Sequence, residues 1–417
     1  MASQPRSPWS ALVAPDDDAN DGDFLPADEL QEVFLRLPSK CLGRLRTVCR
    51  SWRSMLSDPL FVAAHASRSR ADSIFVVAVH SPGHDRIDVN LVDMSTGAVL
   101  RRMDGLARRR FCVGGELLCF VDPRPGGGAG AVQVLDPATG ATTHVLLQPG
   151  DATGSATDVL QSGDATAPQN HTGCGCTAAL YLVGHVPATG EHKVLHITDV
   201  SGKQLCEVFT IGAGHDSSRQ CQRWRPVQSP PMRVDSIPRR RAVVNGVAYF
   251  LPSQKNMRCP PDYDSIAAFD LEKEEWRPAP IRGPVSSERP GHRGQLMCFS
   301  LAELNGRLVM VHRNYQLRTV DMYSLSPMDT GEGVEWSRGP SLRLDSVLDR
   351  NRKGETLAQP LMELDDRRIV LFVPGTEHNI VRVYDHRKET RTDVMEMPMD
   401  RIIVGFYKGS LLPFHMG

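Results

Sequence analysis

At 417 residues the chain exceeds one ordinary compact core, so a large repeat domain, or two or more domains, is expected. Its 48 basic residues nearly cancel its 49 acidic ones, which gives no general attraction to nucleic acid or acidic lipid. No apolar run approaches the roughly 20 residues of a membrane helix, and the ten cysteines follow no regular framework, as reduced thiols would.

Residues 1–22 are acidic and lack a sustained apolar stretch, so they read as a disordered tail and not as a secretory signal. The chain is therefore expected in the cytoplasm, the nucleus or both. The sequon at Asn170, His171 and Thr172 is then expected to carry no glycan.

A helical unit is expected over 23–66. Pro26 fits the first turn of a helix, with Asp28 and Glu29 near the positive end of its dipole. Leu30, Val33, Phe34 and Leu37 follow at helical spacing as one apolar stripe, and Pro38 stops it. A second stripe, Leu42, Leu45, Val48, Cys49, Trp52, Met55 and Leu56, runs until "SDPLF" and reads as two short helices with a bend. Charged side chains are all acidic from Asp16 to Glu32 and all basic from Arg36 to Arg53. A unit of about 40 residues buries little apolar surface, so a leftover apolar face would need another protein to cover it.

Residues 24–61 resemble an F-box. The family pattern is met by Leu25, Pro26, Asp28, Glu29, Leu30, Leu37, Pro38, Leu42, Arg44, Arg46, Val48, Cys49, Arg50 and Trp52, with "DPLF" at Asp58 to Phe61 closing it. Phe34 and Gly43 stand where other aliphatic residues are common. The resemblance implies a module that binds Skp1 (ASK in plants) and through it a cullin-RING ubiquitin ligase. By analogy the Skp1 contacts are Leu25, Pro26, Leu30, Val33, Phe34, Leu37, Pro38 and Leu42, while Leu45, Val48, Cys49 and Trp52 form the inner core of the unit.

From Ile74 onward, runs of four to seven β-prone residues alternate with turn chemistry. One kind of hairpin, "FCVGGELLCF", "AVVNGVAYFL", "LAELNGRLVMV" and "LMELDDRRIVLFV", places Gly-Gly, Asn-Gly or Asp-Asp in a tight turn. The other kind, including "IAAFDLEKEEW" and "VRVYDHRKETR", ends a strand on Asp, whose carboxylate can cap the turn. The two kinds alternate, so a four-stranded unit repeats, and over 70–417 this predicts a β-propeller of six or seven blades. The region is also similar to the F-box-associated domains of plants, most closely in "NGVAYFL" and "DSIAAFDLEKEEWRPAP". The fold class expected is thus α+β and multidomain, a small helical F-box followed by an all-β propeller. Long surface loops are expected at 148–178, 212–240 and 326–360. "RIIVGFYKGSLL" near the carboxyl end is the natural partner for "SIFVVAV", because a propeller must pair its first and last strands.

Candidate chemistry is sparse. "HKVLH" carries His192 and His196 at i, i+4, but in a strand that spacing spans about 13 Å, too far for one zinc ion. Cys174 and Cys176 lack a second pair, and the glycines of "RPGGGAG" and "TIGAGHD" lack a Walker lysine. No catalytic residue, metal site or cofactor is expected. Basic clusters occur at Arg101 to Arg110 and around Trp224, where Arg219, Arg223, Arg225, Arg239, Arg240 and Arg241 gather; these read as solvated loops or as a positive rim for an acidic partner. Arg223, Trp224 and Arg225 are the expected contacts to a target protein, since Arg and Trp dominate binding hot spots. The function expected is a non-enzymatic adaptor that holds Skp1 at one end and an unknown substrate protein at the other. The alternatives are a scaffold or transcription cofactor outside a ligase, and a propeller lectin or enzyme with an F-box-like prefix.

Overall fold

The computed structural model of the chain describes residues 26–37, 41–42, 45–68, 74–80, 87–94, 97–106, 110–114, 117–121, 132–135, 142–145, 180–200, 202–211, 224–253, 264–285, 299–314, 316–326, 335–349, 358–364, 366–399 and 401–407. The acidic tail, the loop expected at 148–178, and Leu25, Pro38, Arg219 and Arg223 lie outside these residues. Helices α1 (Ala27–Leu35), α2 (Arg50–Ser57) and α3 (Pro59–Arg68) come first, and strands follow almost without interruption. None of the described helices is long and apolar enough to cross a membrane.

The described strands form six four-stranded antiparallel sheets. Blade 1 joins β1 (Ile74–His80), β2 (Ile87–Asp93) and β3 (Val99–Leu106) to β24 (Arg401–Tyr407). Blade 2 holds β4 (Arg110–Gly114), β5 (Leu117–Val121), β6 (Val132–Leu135) and β7 (Thr142–Val145); blade 3 holds β8 (Leu180–His185), β9 (His192–Val200), β10 (Lys203–Ile211) and β11 (Arg225–Val227). Blade 4 comprises β12 (Arg241–Val244), β13 (Val247–Phe250), β14 (Ala267–Asp270) and β15 (Glu275–Trp276). Blade 5 comprises β16 (Phe299–Leu304), β17 (Arg307–Asn314), β18 (Thr319–Leu325) and β19 (Trp336–Arg343). Blade 6 comprises β20 (Gln359–Glu363), β21 (Ile369–Val373), β22 (His378–Asp385) and β23 (Thr390–Pro398), and a short helix α4 (Leu344–Val347) leads into it.

Each blade buries both faces. Leu180, Leu182, Leu195 and Ile197 of blade 3 pack on Phe250 and Phe269 of blade 4, while the alternate residues Tyr181, Val183 and Val194 pack on Cys119, Val132 and Val134 of blade 2. Because strand side chains alternate between faces, two buried faces require unbroken apolar runs such as "LYLV" and "IFVVAV". The same sharing joins blades 1 and 2, 4 and 5, 5 and 6, and 6 and 1, so the sheets close into a ring. At Gly184 a Cβ would run into the Leu271 side chain of blade 4, so a larger residue there would require Leu271 to shift.

The turns follow local chemistry. Asn245 and Gly246 (φ 49° and 77°) and Asn305 and Gly306 (φ 52° and 75°) make the tight turns expected of Asn-Gly. The Asp-Asp expectation is corrected: between β20 and β21 the positive φ falls on Arg367, with the Leu364 and Arg367 amides donating to Arg368 O and Leu364 O, because the loop is one residue longer. Asp270 Oδ1 accepts from the amides of Glu272 and Lys273, and Asp385 Oδ1 from those of Arg387 and Lys388, which are the caps expected of a strand-ending Asp. Two expected loops also contain structure. The 212–240 stretch holds β11 and a 3-10 turn at Pro238–Arg240, and 326–360 holds β19 and α4.

Ring closure is made by β24, which pairs with β1 from Ile74↔Tyr407 to Val79↔Arg401 and places Phe406 on Phe75 with ring centres 5.2 Å apart. Truncation before Arg401 is expected to leave β1 as a bare apolar edge and to expose the core shared by blades 1 and 6. Size-exclusion chromatography and thermal melting should show aggregation or a melting temperature at least about 10 °C lower. A soluble truncation with an unchanged melt would mean that closure does not carry the fold.

Candidate partner-binding surfaces

The helical unit is built on Phe34 (2% exposed), Leu42 (0%), Leu56, Phe61 and Val62. Pro26 sits just before α1 as its cap residue, and its carbonyl accepts the Leu30 amide at 2.9 Å. Asp58 Oδ1 accepts the amides of Leu60 (2.7 Å) and Phe61 (3.3 Å) at the start of α3. His65, on α3, lies 2.8 Å from the Leu37 carbonyl and ties the end of α1 to α3. Trp52 meets Phe34 edge-on at 4.9 Å.

Burial sorts the sequence-selected residues in its own way. Phe34 and Leu42, expected to face a partner, are core; Leu30 and Leu37 are half-buried and pack on the same core; Pro26 and Val33 (45%) are exposed. Leu45 and Trp52 pack on the core as inner residues should, but Val48 (60%) and Cys49 are exposed. The reason is local. Cys49 has extended dihedrals and caps α2 through Sγ, which accepts the Trp52 amide at 3.4 Å, so no single helix carries the stripe from Leu42 to Leu56. Leu60 (68%) is a further exposed apolar side chain that the stripes did not single out.

On the propeller, Trp224 packs onto blade 3, against Phe209 (5.4 Å), His196 (5.8 Å) and Tyr181 (6.4 Å). Arg225 Nη2 lies 2.5 Å from Glu274 Oε1 and donates to Thr210 at 2.7 Å. Lys193 Nζ reaches the same Glu274 oxygen at 2.9 Å and the Glu272 carbonyl at 3.3 Å. The three charges therefore clamp blade 3 to the β14–β15 turn of blade 4. Burial would raise the Glu274 carboxyl, but hydrogen bonds from Arg225 and Lys193 outweigh it and hold its pKa below the ordinary 4.5. Arg240, expected in a solvated basic cluster, is instead buried: Nε lies 2.9 Å from Asp235, and Nη1 and Nη2 donate to Phe299 O and Pro252 O. Three segments distant in the chain thus hold this one guanidinium.

The "HKVLH" histidines do not act together. His196 is buried, stacked on Tyr181 at 4.5 Å, with Nδ1 3.2 Å from Glu207. His192 faces His185, its direct cross-strand partner, with ring centres 5.0 Å apart. Burial and the neighbouring imidazole push His192 down to about 4.

The turns between the first two strands of neighbouring blades lie side by side. Asn245 Nδ2 donates to Gly306 O at 3.1 Å, Asn305 Nδ2 reaches Glu363 at 3.2 Å, and the Pro187 side chain lies against Gly246. Ile74, opposite Tyr407, occupies the equivalent place in blade 1, and residues 69–73 alone separate it from α3. Six chain steps reach at most about 20 Å, so the helical unit is tethered near this rim.

Residues 23–65 match the family described as F-box-like, and residues 172–395 match the F-box associated beta propeller domain. An F-box/LRR-repeat/kelch-repeat protein of Arabidopsis thaliana is 22% identical over 326 residues, 78% of each chain. A second F-box protein from that plant is 24% identical over 413 residues, covering 94% of this chain and 87% of its own. Among solved structures, dihydro-heme d1 dehydrogenase NirN aligns over 80% of this chain and 69% of its own, at 12% identity and a TM-score of 0.37, too slight a likeness to carry an argument.

Two outcomes follow from the geometry. Trp224→Ala should cost about 2–3 kcal/mol, because the indole fills a packed face of blade 3; an unchanged denaturant midpoint would place it in solvent. Glu274→Gln should lower the melting temperature at neutral pH. A carboxyl whose folded pKa is depressed stabilises above the unfolded value, near 4.5, and loses that contribution as pH falls through the folded value. The gap between variant and parent melts should therefore shrink on acidification below pH 4.5, and a gap constant with pH would exclude the clamp.

Proposed function

This chain belongs to the F-box-associated β-propeller family, and from that premise we propose that it is the target-recognition adaptor of an Skp1-cullin-F-box ubiquitin ligase. The observation that carries the reading is the pairing, in one chain, of an F-box-like unit at 23–65 with the propeller. The F-box docks on an Skp1-type adaptor and through it on a cullin. The propeller holds a substrate protein, and the chain works in the cytoplasm or nucleus. Its role is proximity: tethering a target beside a ubiquitin-loaded partner raises the effective concentration of acceptor lysines without a catalytic side chain in this chain.

Within the F-box, exposure supports Pro26 and Val33 as direct Skp1 contacts, with Leu30 and Leu37 contributing their half-exposed edges. Leu25 and Pro38 complete the set by resemblance to the family. Phe34 and Leu42 contribute by holding the helices in place, since their side chains are already covered. On the propeller, the β10–β11 connection is the proposed target contact. Trp224 and Arg225 anchor its end, which leaves Arg223 as the residue to reach the partner.

Val33→Asp places a charge on the proposed Skp1 face without touching the core. Retention of a purified Skp1-type adaptor should fall at least about tenfold, since an unpaired charge in a desolvated contact costs several kcal/mol, while the melt stays unchanged. Equal retention by variant and parent would remove Val33 from the contact. Arg223→Ala should keep adaptor binding and reduce the proteins captured under proteasome inhibition; an unchanged capture list would exclude this connection from the target surface.

A further inference from the structure

The register of blade 3 brings together two histidines that the family's function leaves unused. β8 and β9 are joined by a turn in which the Val186 amide donates to Glu191 O at 2.8 Å. Since hydrogen-bonded and non-bonded pairs alternate along an antiparallel ladder, the next pair, His185↔His192, is non-bonded, and that is where side chains come closest. The imidazoles stand with ring centres 5.0 Å apart and planes inclined by 52°. His185 is exposed and His192 half-buried, so solvent reaches the pair from the rim. Ile211, the partner of His192 on β10, continues the same cross-strand row, so an apolar side chain flanks the pair on that strand.

The separation has a chemical meaning. With a metal–nitrogen bond of about 2.0–2.1 Å and a ring centre about 1.2 Å behind the ligating nitrogen, two imidazoles on one ion at a near-tetrahedral angle have centres about 5 Å apart. Imidazole nitrogens suit zinc, copper and nickel. We propose that His185 and His192 form a two-imidazole site for a divalent transition metal at the blade 3 rim, with water completing the coordination. Among the described residues no third His, Cys, Asp or Glu joins them, so an exchangeable ion is expected. The β8–β9 ladder supplies what a two-ligand site otherwise lacks: register places both rings side by side before the ion arrives. Bound metal would in turn clip β8 to β9 beside the turn, on the rim from which the F-box is tethered.

The full chain, stripped with a chelator and exchanged into metal-free buffer, is titrated with Zn²⁺ by calorimetry and with Cu²⁺ by electron paramagnetic resonance. One zinc equivalent should bind with Kd on the order of 1–10 µM, the melting temperature should rise with zinc, and one copper ion should show hyperfine coupling to two imidazole nitrogens. His185→Gln and His192→Gln should each weaken the zinc site at least about tenfold and reduce the copper coupling to one nitrogen, while His378→Gln, on another blade, changes neither. Should His192→Gln fail to fold, the exposed His185→Gln carries the test alone. Unchanged affinity and coupling in His185→Gln would mean an adventitious ion only, held by other side chains, and would overturn the site.

Discussion

The propeller rests on one constraint: every sheet must bury both of its faces, and only a closed ring gives each sheet two neighbours. Six shared cores meet that demand, and β24, paired with β1, adds Phe406 to the one between blades 6 and 1. The strand next to the F-box and the strand near the carboxyl end are thus bonded to each other, and the blade made from both is as complete as the others. An open arc of the same sheets would leave Phe75, Val77 and Val370 facing water, at a cost of about 1.5–3 kcal/mol for each large side chain.

Charge serves the same architecture in a way that composition hides. Arg240 and Arg382 are fully buried, yet neither is isolated, because each guanidinium is shared between a carboxylate and backbone carbonyls of other segments. Arg382 holds Asp393 at 2.5 Å and the Val347 carbonyl at the end of α4 at 2.6 Å, so it pins the entry to blade 6. Such sites satisfy polar groups that connections between blades would otherwise bury unpaired. The Lys193–Glu274–Arg225 clamp does this at the boundary between blades 3 and 4, and it fixes the end of the connection proposed to reach a target.

On the proposed reading, the two parts of the chain divide the labour by geometry. The F-box spends its largest apolar residues on itself, Phe34, Leu42, Leu56 and Phe61, and keeps a thinner set, Val33, Val48 and Leu60, at its surface. A unit this small needs that partition: without a filled centre its helices would not hold an outer face in place for a partner. The short tether then keeps whatever binds the F-box close to the rim where the Asn-Gly turns meet.

The order of the parts and the kinds of turn were legible in the residues alone. The stripe in α1 showed a helix because helical spacing is local, and Asn-Gly and strand-ending Asp showed their turns because positive φ and carboxylate capping are properties of one or two residues. The pairing of the last strand with the first was legible too, since an exposed edge is a cost that any propeller must remove. What tertiary structure alone decided is which side chains meet. Val48 and Cys49 left the core because the bend expected within their stripe falls at Cys49, which caps the following helix, and periodicity did not fix that place. Arg225, Trp224 and Arg240 became structural because carboxylates, carbonyls and rings distant in the chain converge on them. His192 faces His185 and not His196, because strand register, set by the turn at Val186 to Glu191, places residues seven apart opposite one another while holding those four apart at a distance.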